Sequence, residues 1–124
     1  MIIVINNKDD KFYQYMGKIF GSRSIEKQIN DRIYDDDKKE WYLYIKDNKV
    51  EAFVSVQNKI MKNIYCYKEE YLEEVLNYIK KEGKIRNSIL TKKYIEIYEK
   101  CGFQIIDKEK YKNFVIINDN KKVS

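Results

Sequence analysis

Histidine does not occur among the 124 residues and neither does proline, while glycine appears four times and cysteine twice. Without imidazole there is no Ser-His or Cys-His nucleophile pair and no histidine-ligated metal, and two thiols cannot close a structural zinc site without carboxylates. Metalloenzyme and triad-hydrolase classes fall away, and no metal is expected. Without proline, element boundaries must be read from glycines, caps and hydrophobic period. No apolar run approaches the roughly 20 residues that a membrane-spanning helix needs. The start, Met1-Ile2-Ile3-Val4-Ile5, lacks the basic region and cleavage site of a signal peptide. The expectation is a cytoplasmic chain without a membrane partner, its Cys66 and Cys101 reduced rather than paired.

What is present has the balance of a globular protein, 44% apolar and 36% charged. A chain of this length fits one domain and buries about two-thirds of the surface its unfolded state exposes. The net charge of +5 suits a polyanionic ligand or partner, such as nucleic acid or a nucleotide cofactor, although acids and bases are interleaved. No internal repeat and no linker divides the chain; residues 1–118 read as one domain and 119–124 as a flexible tail.

Ile2 to Asn6 reads as a short strand, and Asn7, Asp9 or Asp10 can cap a helix that Gly21 breaks. Ser22 or Ser24 can cap a second helix, in which Ile25, Ile29 and Ile33 form a stripe at every fourth residue. Asp35-Asp36-Asp37 lacks the alternating spacing of a calcium loop and reads as a charged turn. Trp41, Leu43 and Ile45, then Val50, Ala52, Val54 and Val56, alternate with their neighbours across Asp47-Asn48-Lys49 and predict a β-hairpin. A strand follows near Ile60 to Tyr67. Leu72, Val75, Leu76 and Ile79 then mark an amphipathic helix with glutamates at its start, lysines at its end and Gly83 beyond. Ile85 to Leu90 is the next strand. Thr91 can cap a helix whose Tyr94, Ile97, Tyr98 and Cys101 share a face, and strands near Phe103 to Ile106 and Asn113 to Asn118 close the chain. The order β-α-α-β-β-β-α-β-α-β-β implies an α/β or α+β sheet covered by helices.

The segment Tyr98-Glu99-Lys100-Cys101-Gly102-Phe103 resembles the Tyr-Glu-Lys-x-Gly-Phe signature of GNAT-type N-acetyltransferases, and the element order is similar to the GNAT fold over residues 1–118. The likeness rests on Ile95 to Phe103, on the hairpin Trp41 to Val56 and on the strand-helix unit Asn63 to Gly83. It implies a mixed, mostly antiparallel sheet flanked by helices, acetyl-CoA as cofactor and an amine of unknown class as acceptor. The donor would lie where the central strands splay, near Tyr65, Cys66, Tyr67 and Lys68. Family members hold the cofactor pyrophosphate on backbone N–H groups at a helix start, through an Arg/Gln-x-x-Gly-x-Gly/Ala loop. Here that place reads Lys68-Glu69-Glu70-Tyr71, without glycine, so cofactor binding would be weaker or differently built.

By the same resemblance Tyr98 is the general acid toward the leaving thiolate, since a phenol with a pKa near 10 is protonated at neutral pH. The alternative is that its ring packs on the helix's apolar face and its hydroxyl bonds backbone. Glu51 can take a proton from the amine or simply alternate outward from Val50 and Ala52; Ser88 can orient substrate or simply end its strand. In a second class of function, Lys80, Lys81, Lys84 and Arg86 track a nucleic-acid backbone or engage a protein partner, with tyrosines available for stacking. Arg23, beside a helix start, can bind a phosphate or carboxylate bidentately or pair with Asp35 to Asp37.

Overall fold

Strand alternation decides which side chains face which layer, and aromatic contacts show what covers each face. A computed structural model describes residues 1–119 of the protein. Along the chain lie β1 (Ile2–Ile5), α1 (Phe12–Phe20), α2 (Arg23–Ile29), β2 (Glu40–Lys46), β3 (Lys49–Gln57), β4 (Ile60–Cys66), α3 (Glu69–Glu82), β5 (Ser88–Thr91), α4 (Ile95–Lys100), β6 (Phe103–Asp107) and β7 (Phe114–Asp119). A 3-10 turn, Lys92–Tyr94, leads into α4. The element order is the expected one. The strands form two antiparallel sheets, β1-β2-β3-β4 and β5-β7-β6, with helices against them.

Trp41, Leu43 and Ile45 are buried on one face of β2, and the Phe20 ring meets Trp41 at 5.5 Å, which sets α1 over that face. Tyr44 stacks on Tyr71 at 4.3 Å and Tyr42 meets Tyr78, so α3 covers the other face. The α3 stripe Leu72, Val75, Leu76 and Ile79 is buried as the spacing requires. Each such side chain contributes roughly 1.5 to 3 kcal/mol by leaving water. Both hairpins turn on two residues with positive φ, Asp47-Asn48 and Asn58-Lys59. Mirror-image turns of this kind match the right-handed strand twist.

β4 carries a bulge: Val54 pairs with Ile64 and Val56 with Met61, so Lys62 and Asn63 together oppose Ser55. The Asn63 N–H donates to the Ser55 hydroxyl at 2.9 Å, and the Asn63 amide lies inside. Its oxygen accepts from Ser55 Oγ at 2.7 Å and from Lys39 Nζ at 3.0 Å, while its nitrogen donates to the Arg32 carbonyl at 3.0 Å. Lys39 is only 1% exposed; its ammonium also donates to the Tyr34 carbonyl and lies 4.1 Å from the Tyr34 ring centre. Burial holds its pKa below the ordinary lysine value.

Several boundaries differ from the sequence expectation, each for a local reason. α1 starts at Phe12 without a side-chain cap, because Asp9 accepts from the Asn6 N–H and Asn6 from the Lys8 N–H, closing the preceding turn instead. Ser22 does cap α2, at 3.2 Å from the Ile25 nitrogen, but that helix stops at Ile29 where Asn30 turns left-handed. Ile33 is buried from beyond the helix, its N–H held by the Glu26 carboxylate at 2.7 Å. β5 begins at Ser88 rather than Ile85. β7 runs through Asp119, a buried residue, so the expected tail loses its first member, and residues 120–124 lie outside the described part.

Candidate active site

β4 and β5 belong to different sheets yet run side by side in the same direction, and three hydrogen bonds measure how far apart they stand. At the narrow end the Arg86 N–H donates directly to the Lys59 carbonyl at 2.7 Å. Two residues on, the Met61 N–H reaches only the Ser88 hydroxyl, at 2.9 Å. At the far end the Cys66 N–H donates to the phenol oxygen of Tyr94 at 3.2 Å, so a whole tyrosine side chain bridges the gap. The strands splay, and at the wide end side-chain hydroxyls satisfy backbone groups that a regular ladder would have paired.

Four polar groups converge there: the Cys66 thiol, the Tyr94 and Tyr98 hydroxyls, and the Thr91 carbonyl. Thr91 Oγ1 accepts from the Lys93 N–H and starts the 3-10 turn, which carries Tyr94 across to β4. Tyr98, one helical turn later, is fully buried and donates its hydroxyl to the Thr91 carbonyl at 2.8 Å. Burial raises the Tyr98 pKa well above the usual phenol value, and raises that of Tyr94 as well. Burial likewise pushes the Cys66 thiol up to about 11, with the Tyr94 hydroxyl pulling the other way. These groups are neutral at physiological pH, suited to giving a proton and not to taking one.

From the wide end, Tyr65 and Cys66 finish β4, and Tyr67 and Lys68 lead into α3. The Tyr67 N–H donates to the Glu51 carbonyl at 2.8 Å and its ring is exposed. Lys68 occupies the cap position of α3 and makes no side-chain cap bond; Glu69 and Glu70 are exposed and do not fold back on the helix start. The first N–H groups of α3 are thus left unclaimed by side chains, which leaves them the usual affinity of such ends for anions. Glu51 is half-buried and close enough to raise the Tyr65 pKa, behind the larger effect of burial.

Ser88 stands at the first residue of β5, not at its end. Its hydroxyl accepts from Met61 and donates to the Arg86 carbonyl at 2.9 Å, pinning the narrow end of the splay. Arg23 is exposed on the first turn of α2 and takes part in neither of the two ion pairs among the described residues, Lys80–Asp119 and Lys100–Glu73. Asp35 instead accepts from the Trp41 indole and from Asn7, and Asp36 from Gln57. Of the basic group in the last turn of α3 and just beyond it, Lys81, Lys84 and Arg86 are exposed, whereas Lys80 turns to the Cys101 carbonyl at 2.9 Å and to Asp119 at 3.5 Å. Among the described residues no helix is long and apolar enough to cross a membrane.

Sequence reading put Tyr94 on an apolar helix face and missed its hydroxyl as a site group. The Thr91 cap is the signal that moves Tyr94 off that helix and into the turn before it.

No model of a protein family matches the sequence, and no curated protein does. Solved structures match over nearly the whole chain. The N-acetyltransferase PseH of Campylobacter jejuni, solved with acetyl coenzyme A, aligns with a TM-score of 0.53 at 15% identity, over 95% of this chain and 97% of that one. The aminoglycoside 6'-N-acetyltransferase of Enterococcus faecium aligns with a TM-score of 0.59 at 9% identity, over 100% of this chain and 99% of that one. At such identities the likeness is one of architecture: from β1 through β7, with its splayed central strands, this chain has the GNAT fold.

Proposed function

We propose that this chain is an acyltransferase that moves an acetyl or other acyl group from coenzyme A to an amine acceptor. The observation that carries the reading is the β4–β5 splay, whose wide end gathers neutral proton donors beside the uncapped start of α3. It is supported by the activities of the two aligned enzymes, both N-acetyltransferases, one of them bound to acetyl coenzyme A. The donor set fits an acyl-CoA: Tyr65, Cys66 and Tyr67 line the splay, and the N–H groups opening α3, with Lys68, hold phosphate. The cofactor supplies a thioester carbon ready for attack. Glu51 takes the proton that an ammonium acceptor must lose before it can attack as a neutral amine.

The loop that opens α3 is degenerate relative to the family pattern, and Glu69 and Glu70 in the first turn repel phosphate. Binding is therefore weaker than a glycine loop provides. Thermal unfolding with increasing acetyl-CoA tests the reading. Ligand at ~100 times its dissociation constant stabilises the fold by about 2.7 kcal/mol, and Lys68→Glu is expected to move the saturation point to higher concentration. A melting temperature that stays fixed at millimolar acetyl-CoA rejects the acyl-CoA reading.

A further inference from the structure

Resting on the acyltransfer reading, we infer that Tyr94, not Tyr98, gives the proton to the leaving sulfur. The two phenols differ in what their protons already do. The Tyr98 proton is committed: it is donated to the Thr91 carbonyl at 2.8 Å inside a fully buried site. Releasing it to a ligand strands a buried carbonyl at every turnover.

Tyr94 stands in the opposite relation to the backbone. A peptide N–H can only donate, so in the 3.2 Å bond from Cys66 the Tyr94 oxygen is the acceptor and its own proton is left over. The group beside it is the Cys66 thiol, a weak acceptor that a better one displaces. Position favours the same residue. Tyr94 bridges the two strands at the wide end of the splay, and with Cys66 and Tyr65 it keeps a few per cent of its surface open, whereas Tyr98 keeps none.

The Cys66 N–H also does chemical work in this arrangement. As the amine lone pair forms the C–N bond and the C–S electron pair leaves on sulfur, Tyr94 O–H passes its proton to that sulfur. The phenolate left behind is stabilised by the N–H already pointed at its oxygen, a fixed dipole that needs no reorganisation. The proton shed by the new amide nitrogen then returns to the phenolate and restores Tyr94. Atoms and charge balance with acyl-CoA and an amine as the only reactants.

The test pairs Tyr94→Phe with Tyr98→Phe in the full chain, each ring retained and each hydroxyl removed. Three readouts are taken: acetyl-CoA-dependent melting, exchange of the Cys66 amide proton by NMR, and thiol release with a panel of polyamine, aminoglycoside and lysine-peptide acceptors. In Tyr94→Phe the Cys66 amide is expected to exchange at least tenfold faster, acetyl-CoA to stabilise the fold still, and kcat to fall about 100-fold or more with KM little changed. Tyr98→Phe is expected to melt earlier while losing less than tenfold in kcat. A Tyr94→Phe protein that keeps its kcat overturns the assignment, as does a folded, acetyl-CoA-binding Tyr98→Phe protein without turnover. Wild-type protein that neither binds acetyl-CoA nor releases thiol removes the acyltransfer reading, and the assignment with it.

Discussion

Asn63 makes four hydrogen bonds to three neighbours from a position 2% exposed: to Lys39, Ser55 and the Arg32 carbonyl through its side chain, and to Ser55 again through its backbone. No hydrophobic substitution replaces that pattern, because Lys39 and Ser55 are themselves buried. Asn63→Ala removes one hydrogen bond each from an ammonium, a hydroxyl and a carbonyl. Its cost is expected to reach roughly 3 kcal/mol or more, well above the ordinary loss for a polar truncation. Urea unfolding measures this directly; a loss under ~1 kcal/mol is the result that a water-filled replacement site would give. In the sequence, Asn63 is one polar residue inside a strand pattern. Its role depends on the bulge opposite Ser55, a register feature that no local spacing announces.

At the scale of elements, two glycines make opposite predictions. Gly102 follows α4 at φ +87°, and a methyl group there would lie 2.6 Å from Lys80 Nζ. Gly102→Ala adds left-handed strain and displaces a lysine that ties α3 to the Cys101 carbonyl and to β7, so a loss of about 1–2 kcal/mol is expected. Gly17 lies within α1 with nothing near its missing Cβ, and Gly17→Ala is expected to add about 0.5–1 kcal/mol. Chemical denaturation of the pair checks both signs. The element order was legible because period and punctuation agree along the chain: α3 announces itself through Leu72 to Ile79, and Gly102 marks the end of α4. The ends were less so. At α1 the Asx side chains spent their bonding on a turn, and α2 stopped one turn before Ile33. The candidate site was legible as a region, through Tyr98 and the run after Tyr65. Which phenol keeps a free proton was not, since that depends on how far β5 stands from β4.

For the molecule as a whole, the buried phenols fix the response to alkali. Burial is the leading cause that raises the pKa of Tyr42, Tyr65, Tyr94 and Tyr98 in the folded state above the unfolded value near 10. A group so raised contributes stability that is fully present below the unfolded pKa and is lost as pH climbs through the folded one. Lys39 acts with the opposite sign, its lowered pKa making stability rise toward pH 10.5, but one amine stands against four phenols. The expectation is a steep fall in stability above about pH 10, with tyrosinate absorbance appearing in two phases, exposed rings first and buried rings only on unfolding. A single titration phase with the fold intact at high pH contradicts this. Lys39 has one more consequence. Sealed at 1% exposure between Asn63 and the Tyr34 ring, it is withheld from any acylating agent that reaches the exposed lysines. Its modification state therefore records the chain's history of opening, an internal clock written in one amine.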